Sequence, residues 1–150
     1  MPKKILFVCT GNTCRSPLAE GLLKKMAQDS LIPLEVQSAG LAAFAGVPAT
    51  PEAVEAAKEK GVDISAHQSQ PLGKNLVMES DMIVTMTVKH KEMIVKKMPP
   101  LEPKVSLLSE LAGEGAVDVE DPVGHPLEVY RQVAGQIEGY LKKSLDKFKN

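Results

Sequence analysis

Tryptophan is absent from the 150 residues, and two tyrosines and three phenylalanines supply all the aromatic side chains. So small a supply argues against a base-stacking nucleic-acid platform and against a carbohydrate-stacking site. An excess charge of either sign is also lacking: 18 Lys and Arg against 19 Asp and Glu leave a net charge of −1. Nothing electrostatic therefore draws the chain toward nucleic acid or an anionic membrane. No apolar run approaches the ~20 residues of a membrane span. The basic start is followed only by Ile5-Leu6-Phe7-Val8, too short for a signal-peptide core. Cysteine is scarce, with only Cys9 and Cys14. Two cysteines so close together do not make the disulfide framework of a small secreted protein. The expectation is a cytoplasmic protein with reduced thiols. Repeats, low-complexity segments and interdomain linkers are missing too, so residues 1–150 read as one domain.

What is present is an alternation of short β-rich runs with helix-period stretches. Lys4–Val8, Leu34–Ser38, Asp81–Met86 and Val105–Leu108 read as strands. Pro17–Ala27 reads as a helix with Leu18, Leu22, Leu23 and Met26 on one face. Thr50-Pro51-Glu52 is a helix start, with a Thr cap and Pro at the first helical position, and Gly61 is its stop. Further helices are predicted over Leu72–Glu79, Thr87–Met98 and Leu127–Phe148, and a loop over Glu114–Gly124. The pattern predicts an α/β fold: a four-stranded, mostly parallel sheet flanked by helices on both faces. Ligands in such folds bind where strands end and loops leave them.

Val8–Pro17, VCTGNTCRSP, occupies one such end. A loop between a strand and a helix start gathers free backbone N–H groups, and the helix dipole adds positive potential, so a phosphate-sized anion is favoured there. Gly11 and Asn12 tolerate a positive φ. Arg15 can grip two phosphate oxygens with its planar fork. The same potential favours a thiolate at Cys9, and Ser16 can donate to its sulfur. A Walker-type loop is excluded, since no Gly-Lys-Ser/Thr follows. A zinc site needs about four ligands, which two cysteines without clustered histidines do not supply. Cys14 on its own reads equally well as a small buried apolar residue. Phosphoryl transfer to sulfur also needs an acid for the leaving group, and Asp118, Glu120 and Asp121 are on offer in one loop. His90 and His125 read as surface residues.

The loop resembles the active-site loop of the low-molecular-weight protein tyrosine phosphatase family. The resemblance spans nearly the whole chain, through SAG at Ser38–Gly40, ISAHQSQPL at Ile64–Leu72 and EDPVG at Glu120–Gly124. It implies Cys9 as nucleophile, Arg15 as phosphate clamp and Asp121, before Pro122, as general acid. It further implies a phosphate-binding loop of Thr10, Gly11, Asn12, Thr13, Cys14 and Ser16, with Asn12 and Ser16 joined by Ser38 and His67 in a supporting network. A reversible Cys9–Cys14 disulfide is also implied. No cofactor and no metal are expected. The expected partners are phosphorylated proteins as substrates, with the chain a monomer.

Members acting on phosphotyrosine follow the Asp-Pro with aromatics, whereas this chain has Val123 and Gly124. The nearest aromatic on another loop is Phe44. Thr13 and the length of DPVGHPLEVYRQ resemble the bacterial protein arginine phosphatase subgroup, in which that Thr is tied to phosphoarginine selection. Thr13, Phe44 and Val123 are thus the selectivity candidates. An arsenate reductase on this fold would need additional cysteines. A phosphocarrier domain would lack Arg15 and the late Asp-Pro. A plain phosphate-binding module would need no thiol at position 9.

Overall fold

The computed structural model describes residues 2–149. Four strands, β1 (Lys3–Cys9), β2 (Leu34–Gly40), β3 (Met82–Thr85) and β4 (Val105–Leu107), form one sheet in the order β2-β1-β3-β4. Every pairing in it is parallel. Among the described residues six α-helices accompany them: α1 (Arg15–Asp29), α2 (Pro51–Lys58), α3 (Lys74–Glu79), α4 (Val88–Lys97), α5 (Leu108–Leu111) and α6 (Leu127–Ser144).

The alternation of β1 explains why both faces are covered. Ile5, Phe7 and Cys9 point into one core with Leu18, Leu22 and Leu23 of α1 and with Tyr130, Ile137 and Leu141 of α6. Leu6 and Val8 point into a second core with Ile94 of α4, Val77 of α3 and Leu101. A strand buried on both sides reads as a continuous apolar run, as Ile5–Val8 does. Phe148, near the end of the chain, stacks edge-on against Phe7 with ring centroids 6.3 Å apart, a contact worth about 0.5–1.5 kcal/mol beyond its buried area. Among the described residues no helix is long and apolar enough to cross a membrane.

The predicted elements all occur, with shifted ends. The third helix begins at Lys74 rather than Leu72. The last one gives way at Leu145 to a 3-10 turn that carries Phe148 inward. Leu108, expected at the end of β4, opens α5 instead. Thr50 caps α2 through its hydroxyl, which accepts from the Ala53 N–H. Because β1 lies inside the sheet, its end is held closely: Cys9 pairs with Gly40 of β2, and Val8 before it pairs with Thr85 of β3.

Candidate active site

Between Cys9 and Arg15 the chain leaves β1 and enters α1 in a tight bowl. Its carbonyls turn outward. Leu41 and Ala42 N–H groups donate to the carbonyls of Cys9 and Thr10, Thr50 N–H to that of Thr13, and Leu18 N–H to that of Cys14. The Asn12 carbonyl lies 2.8 Å from His67 Nε2, which donates to it. Among the described residues, no backbone N–H from Gly11 to Cys14 donates to a protein acceptor. Cys14, at the N-cap of α1, offers no side-chain cap either. Free amides at a helix N-terminus make a site for an anion.

The left-handed residue of the bowl is Asn12, at φ 57°. Of the two residues expected to tolerate a positive φ, Gly11 does not take it up. Asn is among the few side-chain-bearing residues that tolerate this conformation, and here its fully buried amide holds the bowl from behind. Asn12 Nδ2 donates to Ser16 Oγ (2.8 Å) and Ser38 Oγ (2.9 Å), while its Oδ1 accepts the Gln70 N–H (2.9 Å). Ser16 Oγ, which accepts from Asn12, lies 2.9 Å from Cys9 Sγ and donates to it when the sulfur is a thiolate. Ser38 Oγ donates onward to Glu20 Oε1, whose other oxygen holds Lys24. Asn12, Ser16, Ser38 and His67 are therefore brought together. Glu20 and Gln70 belong to the same network and were missed. Glu20 lies one helical turn after Ser16, which was the available signal.

Gly40 is required by close approach. A Cβ there would stand 2.6 Å from the Thr10 carbonyl and 3.0 Å from the Asn12 nitrogen. The register that pairs Gly40 with Cys9 presses the end of β2 against the bowl.

Arg15 is buried, and its Nη1 donates to the Val119 carbonyl at 3.0 Å. Its Nη2 stands 3.7 Å from Asp121 Oδ2. The three loop acids separate here. Asp118 accepts the Val88 N–H at the start of α4, and Glu120 is exposed outside the cleft. Asp121 lines a cleft of about 280 Å³ with Cys9, Thr10, Gly11, Asn12, Thr13, Cys14, Arg15 and Val123. Phe44 is not on that wall: it is 82% exposed, because the Ser69 hydroxyl takes its carbonyl and the loop turns its ring to solvent. Of the selectivity candidates only Thr13 and Val123 face the cleft.

Both cysteines are free. Cys14 is packed against the hydroxyls of Thr50 and Tyr130, 3.6 and 3.7 Å away, and burial pushes its thiol up from the ordinary range. His90 corrects the expectation of a surface residue. It is 5% exposed, on the first turn of α4, with Nε2 2.9 Å from Thr10 Oγ1. Burial, and then the Arg15 charge, push its pKa down to about 4. His125 is exposed, as expected. Among the described residues no three His, Cys, Asp or Glu side chains cluster as a metal site would require.

Relatives match nearly the whole chain in sequence and in fold. A protein from Bacillus subtilis named protein-arginine-phosphatase is 40% identical over 139 residues, 93% of this chain and 92% of its own. A solved structure described as an arginine phosphatase with a phosphorylated active-site serine superposes with a TM-score of 0.92 at 38% identity, covering 96% of this chain and 94% of that one. A low molecular weight protein tyrosine phosphatase from T. tengcongensis gives a TM-score of 0.92 at 40% identity, covering 97% and 99%. The model of the low molecular weight phosphotyrosine protein phosphatases matches residues 4–150, and the chain belongs to that family.

Proposed function

We propose that this chain hydrolyses phosphorylated protein side chains through a phosphocysteine, with protein phosphoarginine as its substrate. The observation that carries the phosphatase reading is the sorting of backbone polarity around Cys9, with carbonyls bonded outward and amides free inward. An oxyanion needs such a cradle, and its charge grows in the transition state of phosphoryl transfer.

Cys9 thiolate attacks phosphorus, and the bond from phosphorus to the side-chain nitrogen breaks. Asp121 gives its proton to that nitrogen as arginine departs. The Asp121 carboxylate then takes a proton from water, the water oxygen bonds phosphorus, and the sulfur leaves as thiolate. Ser16, donating to that sulfur, makes it a better leaving group. Arg15 and the loop amides hold the equatorial oxygens throughout. The reaction uses no metal or cofactor.

Phosphoarginine is favoured by Thr13, which faces the cleft and matches the arginine phosphatase pattern. Among the described residues no aromatic ring lines the cleft to sandwich a phenol, since Val123 follows the Asp-Pro and Phe44 faces solvent. Asp121 stands on the cleft with its carboxyl group half exposed, where it can meet a guanidinium leaving group and hand it a proton. The relative named protein-arginine-phosphatase supports the same reading. The chain acts as a monomer in the cytoplasm, a single catalytic domain working on phosphorylated proteins.

The test is kcat/KM on two peptides of matched sequence, one carrying phosphoarginine and one phosphotyrosine, with Cys9→Ser as the blank. Preference for phosphoarginine is expected. Preference for phosphotyrosine would show that the open wall suffices for a phenol ring, and turnover surviving in Cys9→Ser would remove the phosphocysteine.

A further inference from the structure

The mechanism above does not use His90, although it is a buried, titratable side chain bonded to the phosphate loop. Its Nε2 lies 2.9 Å from Thr10 Oγ1, and its Nδ1 is buried with no protein partner. Thr10 is the opposite kind of residue. It is exposed and lines the cleft with Asp121 and Val123, and its main chain is fixed by the Ala42 N–H on its carbonyl.

The unpartnered nitrogen settles the tautomer. Buried N–H groups without an acceptor are rare, so the imidazole proton belongs on Nε2, where it has one. Nε2–H then donates to Thr10 Oγ1. That oxygen keeps one lone pair and its own proton, so it can accept and donate at once. A phosphoryl group bonded to an N–H-bearing nitrogen offers the matching pair, an oxygen acceptor beside an N–H donor. An aryl phosphate ester has the oxygen but no N–H.

We infer that Thr10 is a substrate-contacting selectivity residue and that His90 is the positioning residue that holds its hydroxyl ready for the leaving-group nitrogen of a phosphoramidate. This rests on the phosphoarginine reading and adds to it a side chain on the cleft wall besides Thr13. The groups around the imidazole agree with a neutral ring: Arg15 and Lys89 oppose a second positive charge, Asp118 and Asp121 favour one, and burial decides against it.

The experiment compares kcat/KM for the matched phosphoarginine and phosphotyrosine peptides in wild type, Thr10→Val, Thr10→Ser, His90→Ala and the double variant Thr10→Val with His90→Ala. Thr10→Val should lower the phosphoarginine value ~10-fold, the worth of about one hydrogen bond, and lower the phosphotyrosine value by clearly less, so that the ratio of the two falls. Thr10→Ser should restore it. His90→Ala should shift the ratio in the same direction, and the double variant should lose no more than Thr10→Val alone. Equal losses on both peptides, or losses that add, would overturn the assignment, since a merely structural tie moves both substrates together. Wild type inert toward phosphoarginine overturns the parent reading and this one with it; an active wild type with an unmoved ratio overturns this one alone. If His90→Ala does not fold, Thr10→Val and Thr10→Ser decide, because that side chain lies at the surface.

Discussion

Arg15 Nη2 and Asp121 Oδ2 stand 3.7 Å apart, the first on a buried side chain and the second on one 52% exposed. The pair joins the start of α1 to the loop before α6. Arg15 is fixed through the Val119 carbonyl, and the other oxygen of Asp121 accepts the Val123 N–H. The clamp is thus preorganised, while the acid stands at the open rim where a leaving group departs.

Replacing Asp121 by Ala should therefore spare folding and damage chemistry. The expected loss in kcat is ~10²–10⁴-fold, the usual contribution of a positioned general acid. Steady-state kinetics with the preferred peptide measures it, and a near-wild-type rate would remove Asp121 from that role.

Asn12→Ala should damage both. It removes the amide that Ser16, Ser38 and Gln70 share and puts Ala at φ 57°. Each buried polar group left unsatisfied costs about 1–3 kcal/mol. Thermal unfolding should show a clear drop in Tm, and Cys9 should alkylate at an altered rate once Ser16 is released.

Gly40→Ala puts a methyl group 2.6 Å from a backbone oxygen that cannot swing away. Overpacking of this kind costs about 1–3 kcal/mol. Because the strained neighbour is the Thr10 carbonyl, kcat should fall along with Tm. Unchanged turnover in a destabilised variant would mean that the bowl tolerates the shift.

His90 makes stability depend on pH. Its pKa is near 4 in the folded chain and near 6.5 when unfolded. The unfolded state takes up a proton first, so this stabilisation is complete above about pH 6.5 and is lost as pH falls toward 4. Denaturant titrations across that window should show wild type losing stability faster than His90→Gln. Parallel curves would refute the burial argument.

The sequence carried the sheet, its order of elements and the bowl, because each is written in local patterns: an apolar run, a Gly-Asn turn, a helix start. Residue type alone left Asp118, Glu120 and Asp121 level; the family resemblance singled out Asp121, and the structure adds the reason Asp118 is elsewhere, since it accepts the Val88 N–H at the start of α4. Phe44 could be placed near the loop by sequence but not aimed, since the Ser69 hydroxyl that turns its segment lies far along the chain. His90 follows the end of β3 just as the bowl follows the end of β1. The rule that strand ends carry sites applied to both, and only the apolar surroundings of the imidazole, which come from other elements, were not visible.

The donors that hold the loop carbonyls of Cys9, Thr10, Thr13 and Cys14 are main-chain groups, of Leu41, Ala42, Thr50 and Leu18. No side-chain replacement other than proline can delete a main-chain N–H. Those four carbonyls are therefore insulated from most mutation of their donors, whereas the Asn12 carbonyl, held by the His67 side chain, and the lip of the cleft, made of Thr10, Thr13 and Val123 side chains, are not. Within one such scaffold, substrate preference can drift freely while the power to move a phosphoryl group stays put.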